Sequence, residues 1–155
     1  MRLARRAGLA LALALFAQAA APVSSEEGDD QALLADADYA AGREALRVGD
    51  AALALRRFQA ALKRFPDAAD LHNELGFTHR KLRQLDKAFE HYKRALAIKP
   101  DHRGAHEYIG EAYLMVGDLA SAEKHLAALR SICLLPCEEL TDLEKAVKEY
   151  RARKK

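Results

Sequence analysis

Residues 69–102 read ADLHNELGFTHRKLRQLDKAFEHYKRALAIKPDH. Shifting the chain against itself by 34 residues lays Gly76 on Gly42 and Gly110, Ala88 on Ala54 and Ala122, and Tyr92 on Phe58 and Leu126. The same shift lays Ala95-Leu96 on Ala61-Leu62, and Pro100-Asp101 on Pro66-Asp67. Agreement of this many columns at one period marks an internal repeat rather than chance.

The columns carry a physical reading. Each unit is expected to be two antiparallel helices, with the small residue at Gly42, Gly76 and Gly110 letting the facing helix approach. Ala54, Ala88 and Ala122 supply the other half of that contact. Phe58, Tyr92 and Leu126 follow one helical turn later on the same face. Pro66 and Pro100 forbid continuation of the second helix, because proline lacks the N–H and disfavours helix in the residue before it. Asp67 and Asp101 are then available to start the next helix. One hairpin cannot bury its own apolar stripe, so about three units and a polar-faced cap are needed. The cap is expected at Thr141-Asp142-Leu143-Glu144, read as a capping box, with Leu140, Leu143, Val147 and Tyr150 on one apolar face.

These columns resemble the tetratricopeptide repeat (TPR) family: Leu75-Gly76, Ala88, Tyr92, Ala95 and Pro100 in the second unit, and Ile109-Gly110, Tyr113, Gly117 and Ala122 in the third. The first unit keeps Gly42, Gly49, Ala54, Phe58, Ala61 and Pro66. Ala45 and His79 stand where the family prefers Tyr, Arg83 replaces a turn glycine, and Leu134 replaces the third proline. The resemblance implies an all-α fold, a right-handed superhelix of three helix pairs with a C-terminal capping helix, seven helices in all. The units fall at about 35–68, 69–102 and 103–136, within a repeat region of 31–136, and the capping helix with its basic tail at 137–155.

Ahead of the repeats, Arg2, Arg5 and Arg6 precede the apolar run from Gly8 to Phe16 and then Ala17-Gln18-Ala19. This pattern predicts a secretory signal peptide over residues 1–19, cleaved after Ala19, in a periplasmic or secreted protein. Persistence of the leader as a membrane tether is the competing expectation. Residues 20–30, with Pro22, Gly28 and several carboxylates, read as a flexible acidic linker. Without the three leader arginines, the 25 basic residues fall to 22 against 23 acidic ones. So balanced a chain lacks the concentrated positive charge that a nucleic-acid partner requires.

Cys133 and Cys137 are the only cysteines. In an oxidising compartment they are expected to pair as a local staple. Thiol redox or soft-metal work, such as a copper accessory role, is the sharper alternative, although no Cys-x-x-Cys motif supports it. Among six histidines, His102 and His106 have the one-turn spacing of two metal ligands. The repeat accounts for the histidines more cheaply, since His72 and His106 stand 34 residues apart, as do His91 and His125. No metal and no cofactor is expected, and no catalytic motif emerges, so an enzyme is not expected.

By the resemblance, the first helix of each pair lines a concave groove. Its expected lining is Tyr39, Arg43, Leu46 and Arg47, then Asn73, Phe77, Arg80 and Lys81, then Glu107, Glu111, Leu114 and Met115. The groove is basic over two units and acidic with an apolar edge over the third, suited to a polypeptide of mixed charge. Phe77, flanked by Arg80 and Lys81, reads as an exposed anchor. The family's carboxylate clamp does not carry over, because Tyr39, Glu74 and Gly104 stand where it needs Lys or Asn. The expected role is a scaffold holding an envelope protein or peptide; oligomeric state is not legible here.

Overall fold

Asp36 and Asp50 begin their helices by a local device: Asp36 Oδ1 accepts from the N–H groups of Asp38 and Tyr39 (3.0 and 2.9 Å), and Asp50 Oδ1 from that of Leu53 (2.8 Å). The computed structural model describes residues 26–154; the expected leader and its cleavage site lie outside them. Every element of the described residues is helical: α1 (Glu26–Leu34), α2 (Ala37–Arg47), α3 (Ala51–Leu62), α4 (Ala69–Lys81), α5 (Leu85–Ile98), α6 (Arg103–Met115), α7 (Leu119–Ile132) and α8 (Glu138–Arg153). The pairs α2–α3, α4–α5 and α6–α7 are the three expected hairpins. Asp118 caps α7, accepting from Ser121 N–H at 3.0 Å. Asp67 does not start α4 as expected; it pairs with Arg94 instead, and Ala68 stands at the cap without a side-chain bond.

Each hairpin turns by the same backbone closure. The N–H groups of Asp50, Gln84 and Asp118 reach back five residues to the carbonyls of Ala45, His79 and Tyr113, at 2.8, 2.9 and 2.9 Å. This Schellman closure needs one residue in the left-handed region. Gly49 and Gly117 supply it with φ of 86°, and Arg83 does so with φ of 60°. An L-residue there costs about 1–2 kcal/mol.

Packing confirms the small-against-large columns and alters one of them. A Cβ placed on Gly42 would lie 2.5 Å from the Phe58 ring, and one on Gly76 2.5 Å from the Tyr92 ring. In both units the ring comes from the second helix of the same hairpin. In the third unit the nearest atom to such a Cβ on Gly110 belongs to Leu143 of α8, at 2.7 Å. Leu126 is smaller than the rings it replaces, and α8 fills the gap. Accordingly α8 packs more against α6 than against α7, whereas α4 and α6 rest mainly on the second helix before them.

Both ends depart from the expected count of seven helices. α1 occupies part of the stretch read as a flexible linker. Leu33, fully buried against Tyr39, Phe58 and Leu71, gives that segment an apolar anchor. At the other end α8 starts at Glu138, so Thr141 is no N-cap. Its hydroxyl donates to the Cys137 carbonyl (3.1 Å) and Glu144 pairs with Arg130 (2.9 Å), which displaces the expected capping box. The predicted face of α8 holds, with Leu143 and Val147 buried and Leu140 packed beside them.

Replacing Gly76 with alanine is expected to lower the unfolding free energy by about 1–3 kcal/mol in urea titration, because the added methyl overpacks the Tyr92 ring. This loss arises even though alanine is the better helix former by about 1 kcal/mol. Gly110→Ala is expected to cost less, since the flexible end of Leu143 can move aside.

Candidate functional site

The first helices α2, α4 and α6 carry one column of the expected groove, Tyr39, Asn73 and Glu107, at equivalent positions of the three units. Their residues are 4%, 8% and 8% exposed, so the floor is tighter than the sequence suggests. The next turn carries Arg43, Phe77 and Glu111. Arg43 lies over the Tyr39 ring at 5.9 Å and faces Glu74 at 3.9 Å. Phe77 is half-buried rather than exposed, its ring 5.0 Å from that of Tyr108. Arg80 stacks on both of these rings (5.2 and 5.3 Å) and bonds to Glu111, leaving its side chain 13% exposed. Phe77 and Arg80 are therefore part of the wall and not a free anchor. The side chains open to a ligand are Arg43, Arg47, Lys81 and Met115, with Arg47 tied to neighbouring Glu44 and Lys81 resting over Phe77 at 5.1 Å.

Glu107 is the electrostatic exception. Burial, then the like charges of Glu111, Asp142 and Glu139, push its carboxyl up to about 8. Burial also raises Glu74. Glu74, Tyr108, Glu139 and Asp142 are site residues that the sequence reading passes over. The first two adjoin predicted positions, so a wider stripe on each helix would include them. Glu139 and Asp142 depend on how α8 docks, for which the repeat gives no signal.

Cys133 and Cys137 form a disulfide with Cα atoms 6.0 Å apart. The bond leaves neither sulfur as a free thiolate, and it closes a short loop holding Leu134 and Leu135 in solvent, 93% and 80% exposed. His102 and His106 do not converge on a common point. His102 accepts from Ala105 N–H and donates to Asp70 (2.8 Å), while His106 turns to His125.

The other histidines build a repeated structural motif. His72 Nε2–H donates to the Pro66 carbonyl (3.0 Å), which leaves its Nδ1 to accept from His91 Nδ1–H (3.0 Å). His106 repeats this with the Pro100 carbonyl and His125, both at 2.9 Å. A third ring stacks on each dyad: His79 on His91, in the place expected for a tyrosine, and Tyr113 on His125. Burial, then the partner imidazole, lowers His91 and His125 from the usual 6.5 to about 4. A value below that of the unfolded chain means the stabilisation is complete above about 6.5 and is lost as pH falls through about 4. Thermal unfolding from pH 7 to pH 4 is expected to show this loss, and His91→Asn with His125→Asn is expected to flatten the slope.

Family models described as tetratricopeptide repeat match residues 39–103 and 80–132. No curated protein matches the chain in sequence. Among solved structures, the TPR2B domain of yeast Sti1, in a complex with pHsp70, is similar with a TM-score of 0.68 at 19% identity. That likeness covers 82% of this chain and 98% of the other. A Thermobaculum terrenum O-GlcNAc transferase mutant is similar at TM-score 0.64 and 21% identity, over 80% of this chain and 23% of that one. The chain thus spans under a quarter of the transferase, and at these identities the likeness is one of fold. With repeat matches running from residue 39 to 132 and stacked hairpins closed by Gly42–Phe58 and Gly76–Tyr92, the chain belongs to the tetratricopeptide repeat family.

Proposed function

We propose that this chain is a non-catalytic interaction scaffold of the bacterial envelope, which holds a segment of a partner protein in the trough of α2, α4 and α6. The observation that carries this reading is the contrast along the trough. A rigid floor of Tyr39, Asn73 and Glu107 lies beneath open Arg43, Lys81 and Met115. Rigid walls reduce the ordering cost of binding, and exposed charges above them steer and register a ligand. The Sti1 domain, of similar fold, is in a complex with pHsp70, which favours a polypeptide occupant. The absence of the carboxylate clamp at Tyr39, Glu74 and Gly104 argues for an internal segment of mixed charge rather than a chain end.

Export is supported by the expected leader over residues 1–19 and by the Cys133–Cys137 bond, since disulfides persist in oxidising compartments. Among the described residues no helix is long and apolar enough to cross a membrane.

The test uses exposed positions, because Phe77 and Arg80 hold the wall together. Tagged chain recovered from envelope extracts is expected to bring down a partner that Arg43→Glu with Lys81→Glu no longer retains, while circular dichroism melting stays unchanged. A partner retained equally by both proteins rejects the trough. Mass spectrometry of the mature chain is expected to place its first residue at Ala20.

A further inference from the structure

The third unit's part of the trough holds a buried acid that the chain leaves unpaired. Glu107 is nine-tenths buried, yet its carboxylate meets no hydrogen-bond donor and no cation among the described residues. Its neighbours are of the same sign: Glu111 on α6, and Glu139 and Asp142 on α8. Arg80 of α4 acts against them at a distance, but it is already bonded to Glu111 and stacked on Phe77 and Tyr108. A buried carboxyl without a partner is destabilising, and an isolated ionised one far more so.

A second acceptor lies in the same trough. Asn73 stands 34 residues before Glu107, at the equivalent position, and its Oδ1 is enclosed without a partner. Asn73 Oδ1 is sealed from solvent and out of a ligand's reach, so of the two only Glu107 can receive a donor from outside. Glu107 is the more accessible, because its oxygens are not among the sealed orphan atoms, which are Asn73 Oδ1 and Tyr92 OH. Among the described residues no three His, Cys, Asp or Glu side chains are grouped to hold a metal ion.

We propose that Glu107, nine-tenths buried and without a hydrogen-bond donor, is the seat for a lysine or arginine side chain of the bound polypeptide. This rests on the trough being the binding face. The incoming ammonium or guanidinium donates N–H bonds to the carboxylate, and its charge offsets the surrounding acids. In the free chain near neutral pH the carboxyl is mostly protonated, since burial and its acidic neighbours push it up to about 8. Seating the cation releases that proton to solvent, giving a carboxylate–cation pair plus one free proton.

The experiment is isothermal titration of the folded chain with capped peptides of equal length: alternating Lys and Ala, alternating Glu and Ala, and a neutral Gln and Ala control. Buffers of different ionisation enthalpy count the protons. The lysine peptide is expected to bind most tightly and to release close to one proton per site at pH 7. Its affinity is expected to rise by up to about tenfold per pH unit until about pH 8, then level off. Glu107→Gln is expected to abolish the proton release and weaken the lysine peptide about tenfold or more, with helicity kept. Asp142→Asn, at an exposed position, is expected to move the midpoint of the pH profile lower. Equal binding of lysine and neutral peptides, or proton release persisting in Glu107→Gln, overturns the seat while leaving the trough intact. Binding of none of the three peptides counts against trough and seat together.

Discussion

The close approach of the two helices in each hairpin depends on a glycine set against a large apolar side chain. Gly42 meets the Phe58 ring and Gly76 the Tyr92 ring so closely that a single added methyl would collide. In the third unit no ring is available, because Leu126 stands in that column, and Leu143 of the terminal helix takes its place against Gly110. That exchange draws α8 inward across α6 and away from the position that a regular fourth unit would give it. The nearness of Glu139 and Asp142 to Glu107 follows from this one substitution of a leucine for a ring.

Where the proline that follows the second helix of units one and two leaves its carbonyl in a tight turn, the chain must supply a donor or accept an orphan. His72 and His106 supply it, and each needs a donor in turn at its other nitrogen, which His91 and His125 provide. The tautomers are fixed by this chain of bonds. Histidine is here a linker between adjacent helices, and burial lowers His72, His91 and His125. Of the two that invite a metal hypothesis from sequence, His106 is committed to the Pro100 carbonyl and His125, and His102 to Asp70 and the Ala105 N–H.

The repeat columns made the hairpins and the glycine contacts legible in the sequence, because identity at a 34-residue offset reports shared surroundings. What escaped that reading lies where the period stops. Leu33 sits before the first unit and has no aligned partner, so nothing marked α1 as more than an acidic lead-in. Thr141 and Glu144 match a capping box in letters, but the helix begins a turn earlier at Glu138, next to the disulfide. Sharing of side chains across helices is also invisible to a column: Arg80 looked free until Phe77, Tyr108 and Glu111 were seen to enclose it.

The trough is consequently polar along its length. Its open cations, Arg43, Arg47 and Lys81, lie over the first two units, while its unmatched carboxyl lies under the third. A ligand laid with acidic residues over units one and two and a basic residue over unit three satisfies both ends. The reverse orientation sets like charges together at each end and leaves Glu107 without a donor. Since the reverse orientation leaves the buried Glu107 carboxyl without a partner while an exposed pair gains little, discrimination between the two directions rests mainly on Glu107. The arginines at the other end, exposed and screened, contribute chiefly to the rate of encounter.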